Sequence, residues 1–263
     1  MNIVLYPQPK INIGLRVTAR RSDGYHDIET LFYPVDSHTD ILEIIEADSV
    51  SMTYFGTPYE LPGGDTEKEL CVKAYRLLQK EFDLPPVGMY LHKSIPVGAG
   101  MGGGSSDAAW VLRGLNGLFK LNLSDDRLAE YAARLGSDCP FFIYGRPMYG
   151  SGRGEILTPC DSPAVAQLRE KYRIKVIAPG IHVSTAEAYA SLTPDPSGRG
   201  LSSLLDTLPV EEWKERIIND FETTVFALHP ELARIKQSLY DEGAVYASMS
   251  GSGSAVYGIF RKG

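Results

Sequence analysis

The stretch Pro96-Val97-Gly98-Ala99-Gly100-Met101-Gly102-Gly103-Gly104-Ser105-Ser106-Asp107-Ala108-Ala109 places five glycines within seven residues and runs straight into a helical apolar pattern. Glycine accepts φ > 0 and lets a ligand come close to main-chain N–H groups. The first N–H groups of the helix that follows have no internal partner. The helix dipole makes the same spot favourable for negative charge, by up to ~2 kcal/mol. A glycine loop feeding a helix N-terminus is a device for holding phosphate. The first chemistry this chain offers is therefore phosphate or nucleotide binding.

Known phosphate loops narrow the choice. A Walker A loop needs G-x-x-x-x-G-K-[ST], and the dipeptide Gly-Lys is absent from the chain. Gly98, Gly100 and Gly103 match a dinucleotide fingerprint formally. Its acidic residue about 20 positions on is missing, because residues 115–122 hold no Asp or Glu. A plain connector fits poorly, since so many glycines cost folding entropy without structural return. Elsewhere, Asp138 after Gly136 reads equally as a proton acceptor or as a turn and helix-cap residue. Lys93, just ahead of the loop, reads equally as a solvated lysine or as a contact to the bound nucleotide. Taken alone, Tyr25 and His26 read as a loop aromatic and a surface histidine. His38, His92, His182 and His229 are scattered, with no HExxH and no His/Cys cluster, so no structural metal is expected.

The elements that must position these residues follow from periodicity. Ile11–Val17 alternates as a half-buried strand does, and residues 28–35 and 40–47 read as further strands. Residues 67–82 read as a helix with Leu70, Ala74, Leu77 and Leu78 on one face. A strand over 89–95 feeds the loop. Residues 108–119 form the next helix, with Ser105, Ser106 or Asp107 as candidate caps. Another helix is expected from 125 to 135, capped by Ser124 and stopped by Gly136. A Gly- and Pro-rich stretch over 145–165 reads as a domain change, dividing the chain into 1–157 and 158–263. Beyond it come a strand at 173–178, helices at 185–192, 211–218, 220–228 and 230–242, and strands at 244–249 and 255–260. That order is α+β rather than alternating βαβ.

Composition sets the outer bounds. The chain has 263 residues, 43% of them hydrophobic, and a net charge of −7. That size supports one large or two modest domains, and the charge argues against general affinity for nucleic acid or anionic membrane. Cys71, Cys139 and Cys160 are widely spaced and odd in number, which points to reduced thiols and a cytoplasmic protein. The N-terminus does not read as a signal peptide, and no apolar run is long enough to suggest a membrane span.

With the loop in hand, the chain resembles the GHMP kinases, whose loop has the form P-x-x-x-G-L-G-S-S-A. Here Pro96, Gly100, Gly102, Gly103, Ser105, Ser106 and Ala108 resemble it, with Met101 in the usual Leu place. Pro9-Lys10-Ile11-Asn12-Ile13-Gly14-Leu15 is similar to the family's first motif, and Ser250-Gly251-Ser252-Gly253-Ser254-Ala255 to its third. Arg21-Ser22-Asp23-Gly24-Tyr25-His26 resembles the R-x-D-G-Y-H signature of one branch, which acts on a cytidylyl-capped sugar alcohol. Leu135–Phe142 and Gly152–Leu157 resemble two further blocks of that branch, in the same order. There are departures: Ser137 stands for Ala, Asp107 for Asn, and Glu69 for an Asn near the adenine pocket.

The resemblance implies a two-domain fold of mixed α+β and α/β type. Its N-terminal domain would be ribosomal-S5-domain-2-like and its C-terminal domain ferredoxin-like. It implies MgATP-dependent phosphorylation of the 2-hydroxyl of 4-diphosphocytidyl-2-C-methyl-D-erythritol, an isoprenoid precursor of the non-mevalonate route, by a monomer or homodimer. Phosphoryl transfer is mostly positioning and electrostatic stabilisation. In that reading Pro96 to Ser106, with Lys93, hold ATP, and Asp138 accepts the hydroxyl proton. Lys10 pairs with it and stabilises the alkoxide or the moving phosphoryl group. Asn12 orients the acceptor, Tyr25, His26 and Tyr189 enclose the cytosine, and Thr185 bonds the phosphates or ribose. Mg²⁺ needs only one or two protein oxygens, and Ser106 is the candidate. Rival readings are another GHMP kinase acting on mevalonate-type, homoserine or sugar alcohols, a non-catalytic nucleotide-binding module, or a nicotinamide oxidoreductase.

Overall fold

The computed structural model describes residues 1–56, 65–190, 192–195 and 200–263. In chain order the elements are β1 (Asn2–Leu5), β2 (Lys10–Arg20), β3 (His26–Pro34), β4 (Ile41–Glu46), β5 (Ser51–Gly56), α1 (Leu70–Phe82), β6 (Val87–Lys93) and α2 (Gly103–Leu118). There follow α3 (Asp125–Ala133), α4 (Cys139–Tyr144), β7 (Met148–Ser151), β8 (Ile156–Pro159), α5 (Pro163–Ala166), α6 (Leu168–Lys171), β9 (Tyr172–Ile177) and α7 (Thr185–Ala190). The last are α8 (Leu201–Thr207), α9 (Phe221–Leu228), α10 (Pro230–Asp241), β10 (Tyr246–Met249) and β11 (Val256–Arg261). Among the described residues no helix is long and apolar enough to cross a membrane.

The chain packs into two compact units that are discontinuous in sequence. The first comprises Met1–Pro9, Asp36–Val97 and Gly102–Gly145; the second comprises Lys10–Val35, Gly98–Met101 and Arg146–Gly263. The first unit holds a sheet of order β1-β4-β6-β5, in which only the β5–β6 pair is parallel. Its strands alternate: Leu42 and Ile44 of β4 are buried, while Ile41 is exposed and Glu43 and Ile45 are half-buried. Period 2 sends alternate side chains to opposite faces, and α2 covers the buried one. The fit is close, since a Cβ on Gly114 would come within 2.5 Å of Leu5 Cδ1 and 2.9 Å of Ile44 Cδ1. Val111, Leu112, Leu115, Tyr75 and Leu78 complete this core.

The second unit holds an antiparallel sheet of order β2-β3-β7-β8 and a three-stranded sheet of order β10-β11-β9. β2 buries both of its faces over its first half. Ile11 and Ile13 join a core with Trp213, Tyr246 and Tyr257, whereas Lys10 and Asn12 project from the opposite face of the strand. A bulge between Ile13 and Leu15 interrupts the β2–β3 ladder, with Gly14 at φ 67°.

Several expectations need correcting. α2 starts at Gly103, five residues early, with Gly102 in the left-handed conformation as its N-cap residue. Ser105, Ser106 and Asp107 therefore lie inside the first turns and cap nothing. The glycines carry no apolar periodicity, so the pattern revealed the helix only once Ala108 was reached. α3 ends at Ala133, ahead of Gly136, although Ser124 caps it as expected by accepting from Arg127 N. The glycine-rich 145–165 stretch contains the β7–β8 hairpin. Residues 211–218 form no α-helix, and Val210–Glu212 is one 3₁₀ turn. The helix expected over 185–192 ends at Ala190, and residue 191 lies outside the described residues.

Candidate active site

In the first unit the loop exit is built as a phosphate cradle requires. Gly102 sits at φ 70°, and Ser106 N donates to Gly102 O at 2.8 Å to close the first turn of α2. The N–H groups of residues 103–105 are left without intrahelical partners. Ser105 is half-buried there. Ser106 is fully buried, and its hydroxyl donates to Gln8 O at 2.7 Å. That bond uses the hydroxyl hydrogen and leaves the oxygen lone pairs of Ser106 uncommitted by it. Among the described residues no group of three or more His, Cys, Asp or Glu could hold a metal ion. A phosphate-bound Mg²⁺, which takes few protein ligands, remains compatible with that donor set.

Lys93 departs from both of its readings. It is 2% exposed, and its Nζ lies 2.5 Å from Asp40 and 2.6 Å from Asp107. The ammonium is enclosed by carboxylates rather than offered to a nucleotide. Burial disfavours its charge, but Asp107 and Asp40 outweigh that and raise its pKa. Burial pushes the Asp107 carboxyl well above the usual range, against the pull of Lys93. Glu69 is also buried and caps α1, accepting from Val72 N at 3.0 Å.

Asp138 immediately precedes α4, and its side chain makes no capping hydrogen bond to that helix. The helix-cap reading therefore fails. The carboxylate is half-buried. Next to it Cys139 is buried, which raises its thiol to about 11.

In the second unit Lys10 is 4% exposed. Its Nζ donates to Asn12 Oδ1 at 2.6 Å and to Gly100 O at 3.0 Å. Asn12 Nδ2 in turn donates to Thr30 Oγ1 at 2.9 Å, and Thr30 donates to Gly14 O. Asn12 thus orients Lys10. The four loop residues Gly98–Met101 are stitched to this unit by main-chain groups. Lys10 N donates to Met101 O and Ala255 N to Ala99 O, and Ser250 Oγ donates to Gly100 O at 2.9 Å. Gly98 and Gly100 take φ 70° and 75°.

The Arg21–His26 block is the β2–β3 hairpin turn. Arg21 N donates to Tyr25 O at 2.8 Å, and Asp23 Oδ1 accepts from Tyr25 N at 3.1 Å. The Tyr25 N–H and then the Arg21 guanidinium hold the Asp23 carboxyl below its ordinary value. Tyr25 is 57% exposed, with the Arg153 guanidinium 5.0 Å from its ring centre. His26 and Tyr189 stack on each other, centroids 4.6 Å apart and planes 18° from parallel. Tyr189 stacks on His26 and also meets Phe221 in a T-shaped contact, ring centroids 4.7 Å apart. Thr185 Oγ1 lies 3.0 Å from Ser252 Oγ.

The sequence reading missed Asp40, Thr30 and the Ser250 hydroxyl. Ser250 lies inside a recognisable motif. Asp40 carries no local signal, because its partner is 53 residues away in the chain.

Comparison with known proteins now fits these observations. Residues 69–146 match the GHMP kinases N terminal domain and residues 209–263 the GHMP kinases C terminal family. A 4-diphosphocytidyl-2-C-methyl-D-erythritol kinase from Azobacteroides pseudotrichonymphae is 47% identical over 262 residues, 99% of this chain and 94% of its own length. A protein of the same name from Bacteroides thetaiotaomicron is 48% identical over 98% of this chain and 92% of its own. A crystal structure of 4-(cytidine 5'-diphospho)-2C-methyl-D-erythritol kinase superposes with a TM-score of 0.76 at 34% identity, covering 98% of this chain and 90% of that one. The fold is that of the GHMP kinases, and the chain belongs to their 4-diphosphocytidyl-2-C-methyl-D-erythritol kinase family.

Proposed function

We propose that this enzyme transfers the γ-phosphoryl group of ATP to the 2-hydroxyl of 4-diphosphocytidyl-2-C-methyl-D-erythritol, in isoprenoid precursor synthesis. The observation that carries the choice of substrate is the 47–48% identity, over nearly the whole chain, to kinases named for that substrate. The Tyr25–His26 hairpin agrees with it. Exposed aromatic faces stack on bases at ~1–3 kcal/mol each, and the rival acceptors have no base.

In this reading each half of the chemistry has its own support. The unpaired N–H groups at the start of α2 and the glycine loop from Pro96 to Ser106 bind the ATP phosphates. Magnesium, when bound, neutralises phosphate charge. Lys10, aimed by Asn12 and Gly100 O, stabilises the alkoxide or the equatorial oxygens of the moving group. Asp138, uncommitted to capping, accepts the hydroxyl proton. Tyr25, His26 and Tyr189 recognise the cytosine, and Thr185 the ribose or phosphates. The test is ADP release from MgATP with the cytidylyl alcohol, beside mevalonate, homoserine and galactose. Turnover with the cytidylyl substrate alone is expected. Turnover with one of the others would keep the kinase reading and remove the base-recognition role.

A further inference from the structure

Both ends of the glycine loop meet one buried cluster of charge. Asp40, 0% exposed, precedes β4, and its Oδ1 accepts the Ser94 N–H and, at 2.8 Å, the Ile95 N–H. These are the residues at the loop entrance. Its Oδ2 takes Lys93 Nζ, which also bonds Asp107 Oδ2. Asp107 lies in the second turn of α2, at the loop exit. One ammonium thus ties the strand that enters the loop to the helix that leaves it. The glycines close over the join: a Cβ on Gly103 would sit 2.9 Å from Ile95 Cγ2 and 3.3 Å from Lys93 Nζ.

Burying two carboxylates and one ammonium is expensive, and such groups often do no better than well-packed apolar residues of the same size. Stability alone therefore gives little reason for the arrangement. What it supplies is direction: bonds at fixed angles to two main-chain N–H groups and to the first turns of a helix. We infer that Asp40, acting through Lys93 and Asp107, is a positioning residue that sets the span of the ATP loop, so that the N-terminal N–H groups of α2 meet the phosphates. The inference rests on the reading that this loop binds ATP.

The two carboxylates are used unequally, and the experiment exploits that. Asp40 accepts with both oxygens, so an amide there must abandon either Lys93 or the loop entrance. Asp107 accepts with Oδ2 alone, while its Oδ1 is buried with no hydrogen-bond partner. An amide oxygen can keep that single bond. Asp40→Asn should raise KM for MgATP about tenfold while KM for the acceptor stays within about twofold. Asp107→Asn, which can keep its single bond to Lys93 but loses the charge, should raise KM for MgATP in the same sense and by less than Asp40→Asn does. Ile44→Val, a core deletion in the same unit, should lower the melting temperature and leave both KM values alone. If Asp40→Asn does not fold, Asp40→Glu keeps the charge but displaces the loop entrance, and should show the same KM split.

An unmoved KM for MgATP in the Asp40 variant, or equal rises in both KM values, would overturn the inference. So would the same rise in Ile44→Val. Direct ATP titration of Gly102→Val separates this failure from failure of the loop reading. Retained affinity there removes the phosphates from the loop. Lost affinity there, with Asp40→Asn unmoved, sinks the positioning role alone.

Discussion

Removing an ammonium from water costs several kcal/mol unless other oxygens replace the lost hydration. For Lys10 those oxygens include Asn12 Oδ1 and Gly100 O. The motif Pro9–Leu15 identified the lysine from sequence, but not its burial, because nothing local distinguishes an enclosed lysine from a solvated one. The converse holds for Asp138. Its position after Gly136 left the proton acceptor level with a turn or helix-cap residue; the missing capping bond removes the cap alone, since Asp138 does lie in a turn, and the proton-acceptor role is proposed. Asp138→Ala should lower kcat at least about a hundredfold, the usual worth of a positioned base, and leave ATP affinity measured by titration nearly unchanged. Full turnover would remove Asp138 from the mechanism. Asp40 shows the limit of reading residues singly, since its role exists only through contacts made with Lys93 and the Ser94–Ile95 main chain.

Elements were legible where periodicity was clean. β4, α1, α9 and α10 fall within a few residues of their expected limits. Two failures fall where glycine and proline replace pattern, the early start of α2 and the unread β7–β8 hairpin, whereas the helix expected over 211–218 fails in a segment that has neither residue. Yet those glycines do different work. Gly100 is held at φ 75°, where a Cβ would overlap the Ser250 carbonyl oxygen. Gly104 lies in the first turn of α2, and its nearest neighbour to a new Cβ is Leu70 Cδ1 at 3.8 Å. Gly100→Ala should therefore destabilise by at least about 2 kcal/mol through overpacking and backbone strain. Gly104→Ala should stabilise by about 0.5–1 kcal/mol, as alanine does inside a helix. Denaturant titration of both variants checks the pair. Equal effects would mean that glycine content, rather than each glycine's backbone conformation, governs this segment.

At the scale of the whole molecule, packing does not follow chain order: β2 and β3 share a sheet with β7 and β8, over a hundred residues later. Short-range pattern cannot report such pairing, because it depends on which apolar faces meet after the chain has folded back. One consequence is that many ionisable groups end up enclosed. Burial raises the thiol of Cys139 to about 11 and the thiol of Cys71 well above its ordinary value. It also raises the phenols of Tyr246 and Tyr257, both deep in the second unit. Each of these groups holds its proton more tightly folded than unfolded. In the unfolded chain thiols ionise near pH 9 and phenols near pH 10. Above those values the unfolded state releases protons that the folded state still holds, so stability falls as pH rises. The contribution of Cys139 is complete below about pH 9 and is lost as pH climbs through about 11. The melting temperature should therefore decline steadily from pH 9 to pH 11, and Cys139→Ala should make that decline shallower. A melting temperature that is flat or rising across this window would mean that the buried thiols and phenols are hydrated in the folded enzyme.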